Sequence, residues 1–394
     1  MRWINLLHFY QPANVDSFVI REAFEKSYSR LIRLMEENKN LKMTWNISGC
    51  LLLRLQEEGK QGFIDSLKKL IKRGQIELVS SAAYHAFLPL ITENEVILQI
   101  KENEKILFDV LNIKEVPRGF FLPEMAYSKE VAKIIYKLGY KWIILDEIAA
   151  YKYPGLDKNK FYIDKNSGLK VVFRNRKIST SYPPLKMLET KKSENNNEIF
   201  ITATDAELYG LRHEDPTGDM EQVSKRKDII TETVSVFISK LEKSKIGGEK
   251  INIGASSWDT SVDEIKNKEP YKLWSNKKNP IHQELWKLAT LILSLDKKYK
   301  KDANYYWYRW HLVRGIASCT FWWASAYDFS QVFGPNAWSP DVVDRGLEDM
   351  VRAIRSIDNE SSKKYKLKAE NNYLQIKKLI WEEHWKKHWH KKLI

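Results

Sequence analysis

The sequence predicts an α/β protein, a (β/α)7-type distorted parallel barrel followed by a C-terminal helical region. Short apolar stretches alternate with amphipathic segments through the first 255 residues. This alternation is typical of parallel strands that are buried on both faces. Seven or eight such strand–helix units fit a barrel better than an open sheet. From about residue 281 the pattern changes to helical periodicity with few strand signals.

The predicted elements follow one another in a regular order. The candidate strands are short and apolar, and they cover residues 3–7, 42–47, 75–79, 119–122, 142–145, 170–173, 199–203 and 251–254. The clearest amphipathic segments between them cover residues 23–37, 63–72, 93–107 and 130–138. Near the C-terminus, helical periodicity covers residues 281–295, 305–317, 342–357 and 364–391.

These patterns divide the chain into two parts. We expect residues 1–280 to form the barrel and carry the catalytic site, and residues 281–394 to form a helical region packed on the barrel. No stretch rich in Gly, Ser or Pro separates the two parts, so an independently mobile C-terminal domain is not expected.

Composition and charge argue against several classes of protein. The formal charge of +14 comes from 65 Lys and Arg against 51 Asp and Glu, but the lysines are scattered and no nucleic-acid motif accompanies them. The sequence has no uncharged apolar run of 18 residues and no signal-peptide pattern, so a membrane partner is not expected. Cys50 and Cys319 lie in apolar contexts typical of buried thiols in a reducing compartment, which favours the cytoplasm. The oligomeric state stays open.

Polar and aromatic side chains gather in or just after the predicted strands. In a parallel barrel these carboxyl ends form one rim, where active sites lie. The side chains are His8, Asn46, Glu77, Glu124, Asp146, Arg174, Asp205 and Trp258. A glycosidase needs two carboxyl groups that flank the scissile bond, together with hydroxyl-binding groups and an aromatic platform. The rim therefore indicates a site that cleaves carbohydrates.

Five ordered segments carry a resemblance to a known family. GFFLPEMAYS (119–128) resembles the nucleophile motif of glycoside hydrolase family 57, with its Glu at Glu124, and TDAELYG (204–210) resembles the acid/base motif, with its Asp at Asp205. HFYQP (8–12) is similar to the first motif and GQIEL (74–78) to the second, whose substrate-contacting Glu falls on Glu77. SSWDT (256–260) is similar to the last motif.

The resemblance implies an enzyme that cleaves α-glucosidic bonds with retention. Glu124 would attack the anomeric carbon and Asp205 would act as acid and then base, with no metal and no organic cofactor. The family includes α-amylases, 4-α-glucanotransferases and branching enzymes. Two departures leave the α-glucan substrate open: Tyr10 replaces the usual second His of the first motif, and Leu211, Arg212 and His213 follow Gly210 where many members carry His or Trp pairs.

Further residues are expected to bind the substrate, each with a structural alternative. The set is His8, Gln11, Glu77, His85, His213 and Trp258. His8 could instead be a core histidine, Glu77 a buried structural acid and Trp258 a core residue. Likewise, Asp205 could cap the helix that follows it.

Two other functions stay open. A metal-dependent polysaccharide deacetylase can use a similar barrel, but it needs a His/Asp metal cluster, typically with HxxxH near the rim. That spacing occurs only at His384 and His388. The second alternative is a non-catalytic carbohydrate-binding relative.

The C-terminal segment WEEHWKKHWHKK forms a separate pattern. Trp381, Trp385 and Trp389 recur every four residues, and so do His384 and His388. Histidines with this spacing can bind zinc on one helix face. No Glu of the metalloprotease pattern lies between them, and the adjacent lysines oppose a cation. We therefore expect a buried Trp stripe with solvated Lys and His opposite.

Overall fold

The computed structural model describes residues 1–153, 155–190, 198–325 and 338–387. The chain forms two compact units, each built from separate stretches of sequence. Unit 1 consists of Met1–Gln11, Val15–Ala83 and Ile100–Asp259, and unit 2 consists of Pro12–Asn14, Tyr84–Gln99 and Thr260–Ile394. The predicted division at residue 280 stays a prediction.

All strands of two or more residues in the described ranges belong to unit 1. They are β1 Arg2–Phe9, β2 Met43–Ile47, β3 Ile76–Val79, β4 Gly119–Phe120, β5 Trp142–Asp146, β6 Tyr162–Asp164, β7 Lys170–Arg174, β8 Ile199–Asp205, β9 Ile230–Glu232 and β10 Glu249–Ile251. One sheet has the order β3-β2-β1-β8, with β9 also paired to β1, and the other has the order β10-β6-β7-β5-β4. Every pairing is parallel except that of β6 with β7.

Isolated backbone hydrogen bonds join the two sheets at both edges. Between β3 and β4, the Ser80 amide donates to Gly119 O (3.2 Å) and the Phe121 amide donates to Ser80 O (2.8 Å). Between β7 and β8, the Asn175 amide donates to Ile201 O (2.7 Å). The predicted fold class, a distorted parallel α/β arrangement followed by helices, is confirmed. Its seams consist of one or two backbone bonds and not of continuous ladders.

The parallel register positions the ends of three strands at one level. His8 lies opposite Asn46 of β2 and Asp205 of β8. Below this level, apolar side chains of the strands and of the neighbouring helix form one buried cluster, which includes Ile4, Leu6, Val79, Phe121, Ile144, Val172, Ala203 and Phe237. Burial on both faces explains why the strands appear in the sequence as uninterrupted apolar runs.

The helices account for most of the remaining described chain. They are α1 Ser17–Ala23, α2 Ser29–Glu37, α3 Gly49–Glu57, α4 Gln61–Lys72, α5 Glu93–Leu111, α6 Lys129–Lys137, α7 Arg176–Ser179, α8 Pro183–Glu189, α9 Asp219–Lys225, α10 Val234–Lys243, α11 Val262–Lys266, α12 Pro280–Leu295, α13 Tyr305–Gly315, α14 Ser318–Trp322, α15 Pro340–Ser356 and α16 Lys363–Lys387. A π-helical turn, Phe24–Tyr28, joins α1 to α2. None of the helices in the described ranges is long and apolar enough to span a membrane.

Unit 2 is built around helices whose starts are encoded locally. Asn279 precedes Pro280 and accepts a hydrogen bond from the Ile281 amide (2.9 Å). Ser339 precedes Pro340 and accepts from the Val342 amide (3.4 Å). A capping side chain followed by proline at the first helical position is a strong start signal.

A buried ion pair ties two segments of unit 2 together. Arg309 of α13 donates from Nη2 to Glu95 Oε1 (3.0 Å) and from Nη1 to Asp296 Oδ1 (3.4 Å). Its side chain is 14% exposed and that of Glu95 is 1% exposed. Removing one partner would leave a buried charge without compensation.

Several sequence expectations need correction. The three-residue strands β6 and β9 were not predicted, because so short a segment shows no periodicity. The last candidate strand, residues 251–254, lies instead at Glu249–Ile251 and pairs with β6. Cys50 is buried as expected, but Cys319 is only half-buried.

The expected tryptophan stripe on α16 is wrong. Trp385 is 52% exposed and Trp381 is half-buried, whereas His384 Nδ1 accepts a hydrogen bond from Trp338 Nε1 (3.2 Å). The helix buries Ala369, Ile376 and Ile380, and His384 continues that face one turn later. The tryptophans follow one residue behind this face and are rotated away from it. Trp389 and His388 lie outside the described residues.

Gly210 gives a test of the packing around β8. It has φ 115°, and a Cβ there would lie 2.2 Å from Lys26 O, whereas Gly59 has φ 69° and open space around it. Gly59→Ala should lower the free energy of unfolding by about 1–2 kcal/mol, because alanine is strained in a left-handed conformation. Gly210→Ala should lower the free energy of unfolding by a further ~1–3 kcal/mol, because the backbone at residue 26 must move. Urea unfolding of both variants measures the difference. Equal losses would contradict the close approach.

Candidate active site

His8, at the carboxyl end of β1, is buried and fixed by an amide. Its Nδ1 lies 2.7 Å from Asn46 Oδ1, and Asn46 Nδ2 donates to Val79 O (3.2 Å). Because the Asn46 amide nitrogen is used by Val79, its oxygen accepts and His8 Nδ1 is the donor. Burial lowers the pKa of His8, although the charge of Asp205 and the bond to Asn46 oppose that shift. His8 is therefore a neutral imidazole with a fixed tautomer.

Glu124 lies in a strained turn directly after β4. The turn Pro123–Met125 gives Glu124 a φ of 59° and Met125 a φ of 47°. Such angles cost about 1–3 kcal/mol for a non-glycine residue. Trp258 stabilises the turn twice: its amide donates to Glu124 O (3.0 Å) and its indole Nε1 donates to Glu124 Oε2 (3.0 Å). The carboxylate is buried and held in one direction.

Asp205 ends β8 at the level of His8. Its side chain is 22% exposed, so it is accessible to a ligand. Arg212 donates from Nη1 to Asp205 Oδ2 (2.6 Å), and the Arg212 side chain is 44% exposed. The bond is charge-assisted, because a guanidinium donates to a carboxylate.

Glu207, two residues after Asp205, is fully enclosed. Its Oε1 accepts from Gln11 Nε2 (3.2 Å), from the Tyr10 amide (3.4 Å) and from the Tyr28 hydroxyl. Burial, together with the charge of Asp205, raises the pKa of Glu207 to about 7. Because Oε1 accepts from three donors, a proton on the Glu207 carboxyl group would lie on Oε2. This agrees with an orienting residue that supports the loop of Gln11.

Arg174, at the end of β7, is a buried guanidinium among carboxylates. Its Nε donates to Asp146 Oδ2 (2.7 Å) and its Nη1 donates to Ala203 O (2.8 Å). The guanidinium also lies over the Trp258 ring, 5.3 Å from its centroid. Burial raises the pKa of Asp259 to about 6, although the charges of Arg174 and Arg176 oppose that shift. Position at a strand end was the only sequence signal for Arg174.

Aromatic contacts connect these groups. His8 stacks on Phe121 with ring centroids 4.5 Å apart, and the Trp258 ring lies edge-on at 6.2 Å from His8. Trp258 is bonded to Glu124, while His8 is in register with Asp205. A continuous chain of contacts within unit 1 therefore brings together five predicted site residues, which are His8, Gln11, Glu124, Asp205 and Trp258.

Three other predicted site residues do not join this group through the described contacts. Glu77 Oε2 accepts from Thr44 Oγ1 (3.1 Å) and from the Ser235 amide at the start of α10 (3.0 Å). Its carboxylate thus stabilises a helix start, and its predicted sugar contact has no support from this position. His213 lies against Tyr182, with ring centroids 4.0 Å apart. His85 belongs to unit 2, where its Nδ1 lies 2.8 Å from Ser318 Oγ.

The described residues contain no group of three or more His, Cys, Asp and Glu side chains that could hold a metal ion. At the site itself, Arg212 bonds Asp205, and Gln11 and Tyr28 bond Glu207.

Mainly parallel strands with carboxylates and a tryptophan at their carboxyl ends form the kind of arrangement that glycosidases use. The profile of glycosyl hydrolase family 57 matches residues 5–247, which is more than half of the chain. The chain belongs to this family, and the resemblance found in its motifs is confirmed.

Curated relatives match only part of their own length. Alpha-amylase 1 of Dictyoglomus thermophilum is 27% identical over 215 residues, a match that covers 52% of this chain and 31% of the relative. The 4-alpha-glucanotransferase of Thermococcus litoralis is 25% identical over 225 residues, covering 52% and 32%. The chain thus spans about a third of the length of these relatives.

Solved structures confirm the fold over nearly the whole chain. The 4-alpha-glucanotransferase of Thermococcus litoralis has a TM-score of 0.71 at 19% identity, covering 91% of this chain and 60% of that one. The GH57-type branching enzyme of Pyrococcus horikoshii has a TM-score of 0.68 at 16% identity, covering 95% of each.

Glu207 should make stability depend on pH. Its folded-state pKa of about 7 lies above the ordinary 4.5, so its contribution is fully present below pH 4.5 and is lost as the pH rises through 7. Over that range the unfolded chain ionises while the folded protein holds the proton. The free energy of unfolding, measured in urea between pH 4 and pH 8, should fall less steeply in Glu207→Gln than in the parent.

The control for this experiment is Glu57→Gln, whose side chain is 59% exposed. That variant should keep the parental slope. If Glu207→Gln also keeps it, the carboxyl group titrates alike in the folded and unfolded protein, which would contradict the raised pKa.

Proposed function

We propose that this chain is a retaining glycoside hydrolase or glucanotransferase that acts on α-glucans. One observation carries the proposal: the buried, strained Glu124, fixed by Trp258, is connected through His8 to Asp205 at the carboxyl ends of the strands. The named activities of the relatives, amylase and 4-alpha-glucanotransferase, support the substrate class.

Glu124 is the proposed nucleophile. A retaining enzyme needs an ionised carboxylate aimed at the anomeric carbon. The indole N–H of Trp258 donates to Oε2, which favours the ionised form and fixes the plane of the carboxylate. The left-handed backbone at Glu124 is the kind of strain that is retained at functional sites.

Asp205 is the proposed acid and base. It is the partly exposed carboxyl group of the connected set, and therefore the one that a leaving-group oxygen can reach. Arg212 Nη1 donates to Asp205 Oδ2 at 2.6 Å. Because Arg212 binds Oδ2, we assign the donated proton to the other carboxyl oxygen, Oδ1.

The reaction is a double displacement. A carboxylate oxygen of Glu124 forms a bond to the anomeric carbon while the glycosidic C–O bond breaks, and Asp205 gives its proton to the departing oxygen. In the second step, Asp205 removes a proton from water or from a sugar hydroxyl, whose oxygen attacks the same carbon and releases Glu124. Water as acceptor gives hydrolysis, and a sugar acceptor gives transfer.

Covalent labelling tests the nucleophile. A fluorinated slow glucosyl substrate should modify the peptide that contains Glu124, as read by mass spectrometry. Glu124→Gln should lower kcat on maltooligosaccharides by on the order of 10³-fold or more with the fold intact. Azide should partly restore the cleavage activity of Glu124→Ala by replacing the missing nucleophile.

The matched control is Glu130→Gln on α6, whose side chain is 67% exposed. It should keep parental kinetics and parental labelling. Modification of another acid, or a fully active Glu124→Gln, would rule out this assignment.

Chelation separates the proposal from a metal-dependent deacetylase. Because both steps use carboxylates alone, prolonged dialysis against a chelator should leave cleavage of maltooligosaccharides and glycogen unchanged. A deacetylase would lose activity on acetylated polysaccharides and regain it with added Zn²⁺, since its metal activates water. Metal-dependent recovery of activity on α-glucans would contradict the carboxylate mechanism.

A further inference from the structure

Arg174 makes contact with three different segments at the rim of unit 1. Its Nε binds Asp146 of β5, its Nη1 binds Ala203 O of β8, and its guanidinium covers the Trp258 ring. The side chain is 5% exposed and that of Asp146 is 1% exposed. A buried arginine bonded on several edges holds its neighbours in one geometry, because the guanidinium is a rigid, planar fork.

One of these contacts leads to Glu124. Arg174 lies over the Trp258 ring at 5.3 Å, and its Nη2 lies 3.5 Å from Trp258 O. Trp258 in turn gives both its amide and its indole N–H to Glu124. The orientation of the indole therefore sets the direction of the Glu124 carboxylate, and Arg174 restrains the indole.

A second contact leads to Asp205. Arg174 Nη1 donates to Ala203 O at 2.8 Å, two residues before Asp205 on the same strand. This bond lies beside the seam where the Asn175 amide, just after β7, donates to Ile201 O of β8. Arg174 thus adds a side-chain bond where the backbone ladder is missing.

We propose that Arg174 is a positioning residue that sets the separation of Glu124 and Asp205 by bonding β8 and restraining Trp258. The inference rests on the proposed function, because the separation of these two carboxyl groups governs retaining chemistry. Arg174 touches neither substrate nor reacting atoms in this scheme. Its effect passes through Trp258 and through β8.

The test compares Arg174→Lys with Arg174→Met. Lysine keeps the charge beside Asp146 but cannot make the forked contacts, so the variant should fold while kcat falls by about 10²-fold, the loss typical of a 1 Å misplacement. KM should stay within about threefold, since substrate-binding groups are unchanged. The acidic limb of the kcat/KM profile should move to higher pH, because a loosened Trp258 stabilises the ionised nucleophile less.

Arg309→Met is the matched control. Arg309 is also a buried arginine, bonded to the carboxylates of Glu95 and Asp296, but it lies in unit 2. Its loss should lower the melting temperature as Arg174→Met does, yet leave the shape of the pH profile unchanged when assayed well below melting. A purely structural role of Arg174 predicts the same result for both arginines and would overturn the inference.

A double-mutant cycle with Trp258→Phe identifies the route. If Arg174 acts through the indole, the losses in kcat of Arg174→Lys and Trp258→Phe should be clearly less than additive. Full additivity would contradict action through Trp258. The labelling rate of Glu124 separates the two proposals. If the parent and the Arg174 variants are labelled equally fast, the positioning role of Arg174 is refuted and the proposed function stands. If the parent is never labelled and cleaves no α-glucan, the proposed function itself is refuted.

Discussion

The parallel pairing of β1 with its neighbours is the constraint on which the rest of unit 1 depends. β1 is bonded to β2, β8 and β9, and its register positions His8 beside Asn46 and Asp205. A slip of one residue would turn every side chain to the other face. His8 would then leave Asn46, and the apolar side chains of Ile4 and Leu6 would leave the core. The positions of the polar groups at the rim thus follow from the burial of the apolar groups beneath them.

Above that core, the rim is stabilised by polar bonds that substitute for hydration. Asp146 and Arg174 are both buried and bonded to each other, and Glu207 has a protonation equilibrium near neutrality that is set by burial and by Asp205. Burying any one of these groups without a hydrogen-bond partner would destabilise the folded protein. Together they keep Asp205, which is 22% exposed, as the accessible carboxylate of the set. The chemistry proposed here needs this contrast between enclosed and accessible acids.

The sequence predicted seven of the strands from short, mainly apolar runs. It placed His8, Glu124 and Asp205 at the ends of such runs, and the family resemblance gave Glu124 and Asp205 their catalytic roles, which stay predictions. Contacts between segments that are distant in sequence leave no local pattern, and the sequence did not predict them. Glu77 lies inside β3, and its carboxylate accepts from the Ser235 amide at the start of α10, while its predicted sugar contact stays a prediction. Trp381 and Trp385 have helical spacing, yet the buried face of α16 passes through Ile380 and His384. Arg174 has no sequence motif, since its partners lie 28, 29 and 84 residues away.

The small number of backbone bonds between the two sheets has a mechanical consequence. Glu124 follows β4 of one sheet and Asp205 ends β8 of the other, so the two carboxylates belong to different sheets. The two sheets are joined by a few backbone hydrogen bonds, at Ser80 and at Asn175. At the β7–β8 edge, relative movement of the two sheets is resisted by the Asn175 amide and by the side chain of Arg174, which bonds Ala203 O. In the proposed reaction, the spacing of the two carboxylates would therefore depend on a few bonds at the sheet edges and not on either sheet alone.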